Sequence, residues 1–228
     1  MDNKDTLKNL LAMGNKYHSE GNYAEAAQYY KMAAEQGYAD AQYNLALCYQ
    51  NAIGVEQDLA EAFKWFQKSA EQGNARAQRN LGYCYERGLG IAQSIAEAVK
   101  WYQKAADNGD YLAQYNMGIL YFSGQGVAQS ITEGIKWFKK SAEQGYAPAL
   151  YNLGVCHVSG QGVEKSHAEA VRLFKMSAEQ GYVLAQYNLG VCYQNGLGIP
   201  QNLAEAKKWY QKAAEQGYEP ATEALKRL

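Results

Sequence analysis

Apolar residues recur along this chain at spacings of three and four, broken at regular intervals by glycine-bearing stretches, which predicts consecutive amphipathic helices joined by short turns. The pattern is periodic on a larger scale too. Ala41, Ala77, Ala113, Ala149, Ala185 and Ala221 fall 36 residues apart, and so do Gly37, Gly73, Gly109, Gly145, Gly181 and Gly217. One copy, Ala113 to Pro148, divides into two periodic segments around the glycine pair Gly124 and Gly126, so each copy reads as helix A, a loop and helix B.

Helix B carries the clearer boundary signals. Asp58, Ser94, Ser130, Ser166 and Asn202 share one register, and each is a strong N-cap residue. Three residues later stand Glu61, Glu97, Glu133, Glu169 and Glu205, the spacing of a capping box in which the Glu reaches back to the cap amide. Gly73 and its equivalents stand where a left-handed C′ residue ends the helix, giving helix B about 14 residues.

On helix A, a wheel centred on Leu45 puts Ala41, Cys48 and Tyr49 on one side, matched by Leu81, Met117, Leu153 and Leu189 and by Tyr85, Tyr121, His157 and Tyr193. Helix B answers with Phe66, Tyr102, Phe138, Phe174 and Tyr210. Gly82, Gly118, Gly154 and Gly190, opposite Ala98, Gly134, Ala170 and Ala206, are expected to let the two helices approach. No copy encloses its apolar side chains alone, so stacked neighbours are required and the fold class is an all-α solenoid of helical hairpins. Residues 1–40 form a shorter first hairpin, residues 41–220 five full copies, and residues 221–228 (ATEALKRL) a closing helix, with the two ends expected to cap one continuous array.

Composition narrows the function. With 47% apolar residues the chain has a core, and 22 Lys and Arg against 23 Asp and Glu, a net charge of -1, leave no basic surface for nucleic acid. Met1 to Gly14 is too interrupted by polar residues for a leader or a spanning helix, so a soluble, cytoplasmic chain without membrane insertion is expected, whether or not a segment was removed before it.

The string LGYCYERGLGIAQSIAEAVKWYQKAADNG (Leu81 to Gly109) and its counterparts from Leu45, Met117, Leu153 and Leu189 resemble Sel-1-like repeats. The first copy, with Gly14, Tyr17, Gly21, Tyr23, Ala26 and Tyr30, is more similar to a tetratricopeptide repeat. The resemblance implies a right-handed superhelix of α/α hairpins acting as a protein-interaction adaptor in bacterial or eukaryotic assemblies. Departures are Ala52 for a loop Gly, Leu173 for the Trp of Trp65, Trp101, Trp137 and Trp209, and Gly134 inside a helix, which should cost about 1 kcal/mol relative to Ala.

The side of helix A opposite Leu45 presents a second stripe: Tyr43 and Leu47; Arg79, Tyr83 and Glu86; Tyr115, Ile119 and Phe122; Tyr151, Val155 and Val158; Tyr187 and Val191. One reading is a concave groove binding a peptide or partner protein; the other is that tight curvature buries part of the stripe against itself. Asn44, Asn80, Asn116, Asn152 and Asn188 flank it, and tetratricopeptide grooves use Asn at the matching position to hold ligand backbone; an inter-repeat ladder is the alternative. Arg76 and Arg79 form a basic pair suited to a ligand carboxylate or, alternatively, solvated beside Glu86. Differences between copies argue for a natural ligand over a regularised repeat.

Catalytic and metal chemistry find little support. Cys48, Cys84, Cys156 and Cys192 share one register and read as reduced core thiols, without zinc-ligand spacing. His18, His157 and His167 sit in different registers, and the glycine pairs join helix to helix, outside any phosphate-loop context. Cysteine-rich relatives are described as penicillin-binding or weakly β-lactamase-like, which makes a hydrolase the rival class, but no Ser here is followed three residues later by Lys. A non-catalytic scaffold with no cofactor and no metal is the expectation.

Overall fold

The computed structural model describes residues 3–228; Met1 and Asp2, which open the segment read above for a leader, lie outside the described residues. Among the described residues there are thirteen α-helices and no strand. They are α1 (Asn3–Ser19), α2 (Tyr23–Glu35), α3 (Ala39–Asn51), α4 (Leu59–Glu71), α5 (Ala75–Arg87), α6 (Ile95–Asp107), α7 (Tyr111–Ser123), α8 (Ile131–Glu143), α9 (Ala147–Ser159), α10 (His167–Glu179), α11 (Val183–Asn195), α12 (Leu203–Glu215) and α13 (Glu219–Leu225). Helix B is 13 residues long in each full copy. Two compact units result. The described residues up to Met117, with Gln125–Val127, form the first; Gly118–Gly124 and Ala128–Leu228 form the second; α7 runs unbroken through the division.

The helix ends follow the local signals with one exception. Asp58 accepts from the amides of Ala60 and Glu61, both at 2.9 Å, and Ser94, Ser130, Ser166 and Asn202 each accept from the amide three residues on. The expected return arm from the Glu is absent. The cap amides of Asp58, Ser94, Ser130, Ser166 and Asn202 donate instead to the carbonyls of Tyr49, Tyr85, Tyr121, His157 and Tyr193 at 2.9–3.0 Å, closing each A–B loop. Released from capping, Glu61, Glu97, Glu133, Glu169 and Glu205 pair with the base three residues later, as Glu97 does with Lys100 at 2.6 Å. At the other end Gly73 is left-handed (φ 90°), its amide bonding Ala70 and that of Asn74 bonding Ser69, which is a Schellman closure.

The glycine pair has a second use beyond the turn. Gly88 is the left-handed C-cap of α5, a role Ala52 fills in its copy at φ 55°. Two residues on, a Cβ on Gly90 would stand 2.0 Å from the carbonyl oxygen of Leu59, the first residue of the preceding helix B. The loop of one copy therefore rests on the helix start of the copy before, and only a bare backbone fits.

Each hairpin closes on the helix-B aromatic, with Phe66, Tyr102, Phe138, Phe174 and Tyr210 all buried. The small residues of helix A mainly serve these rings, while Gly134 of helix B also lies close to Gly118, where a Cβ on Gly134 would stand 3.0 Å from the Gly118 carbonyl oxygen. A Cβ on Gly82 would lie 2.8 Å from the Tyr102 ring and one on Gly154 2.6 Å from that of Phe174. The inward face of helix A is also less enclosed than expected at its C-terminal position. Tyr49, Tyr85, Tyr121, His157 and Tyr193 are half-buried; Tyr85 reaches sideways to the previous copy and meets Phe63 edge-on at 5.3 Å between centroids.

Successive copies are also tied by polar groups. Gln42, Gln78, Gln114 and Gln186 are buried; each donates to the carbonyl of Ala34, Ala70, Ala106 or Ala178 at the end of the previous helix B. The amide oxygens of Gln42, Gln78 and Gln186 accept in turn from Gln72, Asn108 and Gln216 at 2.7–2.9 Å. A satisfied buried amide costs little, whereas an unpaired one would be expensive, so this ladder fixes the register of stacking.

The cysteines Cys48, Cys84, Cys156 and Cys192 are free and buried. Burial pushes the thiols of Cys48, Cys84 and Cys192 up to about 11. A raised folded-state pKa means the stabilisation is complete below the ordinary thiol value and disappears as pH climbs through the folded value. The urea midpoint is therefore expected to stay flat up to about pH 8 and to fall between about pH 9 and 11. A chemical thiol reagent at pH 8 should label the native chain slowly and the denatured chain at all four sites. Fast labelling of the native chain would contradict this burial.

Candidate functional site

The stripe on helix A divides in two. The tyrosines in the register of Tyr43 turn toward the core: Tyr43 is 8% exposed, packs 6.0 Å from the Phe66 ring and lies beneath the Arg76 guanidinium, 4.7 Å away. Tyr43 is thus removed from the accessible face. Tyr151 and Tyr187 are half-buried, wedged between the helix-B ring of their own copy (Phe174 at 5.7 Å, Tyr210 at 5.6 Å) and the tyrosine that precedes the next helix A (Tyr182 and Tyr218, both at 5.3 Å). Tyr115 and Phe122 are half-buried as well. The next position along the stripe is open: Tyr83 is 42% exposed, Ile119 40% and Val155 38%.

The basic pair is already engaged. Arg76 meets Asp40 at 3.4 Å, and Arg79 meets Asp110 at 3.2 Å, with the Asp110 side chain only 8% exposed. Neither arginine pairs with Glu86, which accepts from the Tyr102 hydroxyl at 2.6 Å. Burial, reinforced by that hydrogen bond, raises the Tyr102 phenol well above its ordinary range. Tyr210 bonds Gln194 in the same geometry at 2.6 Å, and burial holds it up at about 12.

The asparagines do not form a uniform ladder. Asn44 donates to Asn15 at 3.3 Å and Asn188 to the Tyr151 hydroxyl at 3.3 Å, while the Asn80 and Asn116 side chains make no hydrogen bond among the described residues. All five are half-buried beside the stripe.

Within the second unit the open part of the stripe borders two cavities. One, of about 260 Å³, is lined by Ile119, Phe122, Phe138, Asn152, Val155 and Cys156. The other, of about 240 Å³, is lined by Tyr151, Val155, Val158, His167, Asn188 and Val191 among others. Val155 belongs to both, so the two hollows flank one helix. His167 stands where other copies have Leu59, Ile95, Ile131 and Leu203, and its Nδ1 is buried without a hydrogen-bond partner. Sequence alone sets His167 apart only as a histidine in a different register from His18 and His157; its departure from an apolar register is the signal of this position. In the first unit a hollow of about 240 Å³ lies beside Asn15, His18, Tyr30, Asn44 and Leu47.

Among the described residues no three His, Cys, Asp or Glu side chains converge as metal ligands, and no helix is long and apolar enough to cross a membrane. The family model for the Sel1 repeat matches residues 10–38, 39–74, 75–110, 112–146, 147–182 and 183–218, so the short first hairpin matches it as well. The chain is similar to a solved protective antigen of uropathogenic Escherichia coli strains that displays an SLR fold, at 37% identity and TM-score 0.90 over 96% of this chain and 48% of that one. It thus spans about half the length of that relative. A Sel1 repeat protein from Oxalobacter formigenes is 35% identical, with TM-score 0.87 over 95% of this chain and 86% of the other. An immunity protein of Pseudomonas aeruginosa shares the fold alone, at 22% identity and TM-score 0.57 over 91% of this chain and 83% of that one. No curated protein matches.

Proposed function

Because the chain belongs to the Sel1-repeat family, we propose that it is a protein-interaction scaffold whose A-helix face holds a peptide segment of a partner protein. The observation that carries this reading is the pair of hollows sharing Val155, each apolar at its base and each bordered by a half-buried Asn, Asn152 or Asn188. Two adjacent hollows accept two side chains of one ligand, and an amide beside them can both donate to and accept from its backbone. Ile119, Asn152, Val155, Asn188 and Val191 are the contact residues in this reading, with Tyr83 and Asn80 in the first unit. Tyr43, Arg76 and Arg79 are assigned to the framework. The first hairpin and α13, whose Thr222 and Glu223 are exposed, act as end caps in the same reading. Four buried free thiols support a reducing, cytoplasmic compartment.

Peptides selected by display on the whole chain provide the test. Val155→Asp puts a charge on a surface residue of both hollows and is expected to weaken the selected peptides by about tenfold or more, while Lys175→Ala changes affinity less than twofold. Equal affinity for the parent and Val155→Asp, with both folded by circular dichroism, would refute the assignment.

A further inference from the structure

The fifth copy departs from the others at several positions, and five of those departures converge on one space. Leu150 replaces the ladder glutamine, His157 the half-buried tyrosine, Arg172 and Met176 two lysines, and Leu173 the tryptophan. Together with Lys139, which replaces the Gln of Gln67 and Gln103, they line a cavity of about 320 Å³ between α8, α9 and α10. Substitutions free to drift would scatter along the copy.

The other copies show what such a space holds. Trp209, equivalent to Leu173, lies in a buried cluster with Ala178 and Leu189, whose equivalents Ala142 and Leu153 line this cavity. Lys212 sits 4.2 Å from the Trp209 ring, and Lys68, Lys104 and Lys140 cover their own tryptophans in the same way. In the fifth copy the ring is gone and Met176 has removed its cation, so an indole-sized place is left part-filled by Leu173. The charges that line it are Lys139, Glu143, Glu169 and Arg172, and they are unevenly used: Glu169 grips Arg172 through both carboxylate oxygens at 2.6–3.1 Å, whereas Lys139 makes no ion pair among the described residues. The His157 Nδ1 proton goes to the Glu164 carbonyl at 3.0 Å, which leaves Nε2 as an acceptor in the neutral ring.

We propose that this cavity is a binding site for a small planar aromatic carboxylate of about indole size. Its ring lies against Leu150, Leu153, Leu173 and Met176, and its carboxylate meets the Lys139 ammonium. Leu150, Leu153 and His157 occupy the flank of α9 turned away from Tyr151 and Val155, so the site is separate from the peptide face. Pockets with an apolar floor, left where a large side chain is missing, take up ring compounds of matching shape, with a few polar groups fixing their orientation.

Calorimetric titration of the whole chain with indole-3-acetate, and in parallel with indole, tests the assignment. Saturable one-to-one binding of both is expected. Leu173→Trp restores the residue of the other copies and should abolish binding of both while the fold is kept. Lys139→Gln should weaken indole-3-acetate about fivefold and leave indole unchanged. The proposal is overturned by any of three results: no saturable binding to the parent chain at millimolar ligand, full binding to folded Leu173→Trp, or equal effects of Lys139→Gln on the two probes.

Discussion

Phe174→Ala lowers stability by about 3–5 kcal/mol, which for a chain of this size corresponds to a melting temperature roughly 10 °C lower. The ring is 2% exposed and packs against the backbone of Gly154, where a Cβ would come within 2.6 Å, with the Tyr151 ring tilted against it at 5.7 Å. Little nearby can collapse into the space, since the facing residue, Gly154, has no side chain and Tyr151 stays against Tyr182 at 5.3 Å. Urea titration followed by circular dichroism measures the loss. A drop below about 1 kcal/mol would mean that the hairpin does not close on this ring.

Gly134→Ala, which helix propensity alone would score as stabilising by about 1 kcal/mol, is expected to destabilise by about 1–3 kcal/mol. The new methyl would meet the Phe122 ring at 2.3 Å and the Gly118 carbonyl at 3.0 Å. In the other full copies the same place holds Ala62, Ala98, Ala170 or Ala206, and the residue facing it is Gln50, Glu86, Val158 or Gln194. Gly134 is therefore the counterpart of Phe122, and a helix-weakening glycine is kept because a bulky ring uses its volume. The double substitution Gly134→Ala with Phe122→Val, which copies the fifth hairpin, should recover most of the loss. A higher melting temperature for Gly134→Ala alone would show that the two positions are independent.

These two cases mark how far the sequence could be read. The register of Asp58, Ser94, Ser130, Ser166 and Asn202 located the helix-B start of each full copy, and the glycines at Gly73 and its equivalents located the ends. The capping glutamates were misassigned because the competing acceptor for the cap amide, a helix-A carbonyl nine residues earlier, is visible only once the loop is folded. Likewise Arg79 looked available for a ligand because Asp110 lies just before the next helix A, 31 residues on. Tyr43 looked outward because a helical wheel gives a direction around one axis and says nothing of the rings that meet it. The ladder of Gln42, Gln78, Gln114 and Gln186 was legible as a shared register, but its buried, doubly bonded state was not.

What the sequence determined alone was the number and kind of helices, their caps and the requirement for stacking, because those depend on residues within a turn or two of each other. Which polar groups were already consumed, which part of the stripe stayed open at Ile119 and Val155, and where Leu173 left a space were decided by tertiary structure. Each of those outcomes is a competition between side chains of neighbouring copies for the same volume or the same hydrogen bond, and only the packed hairpins bring the competitors together.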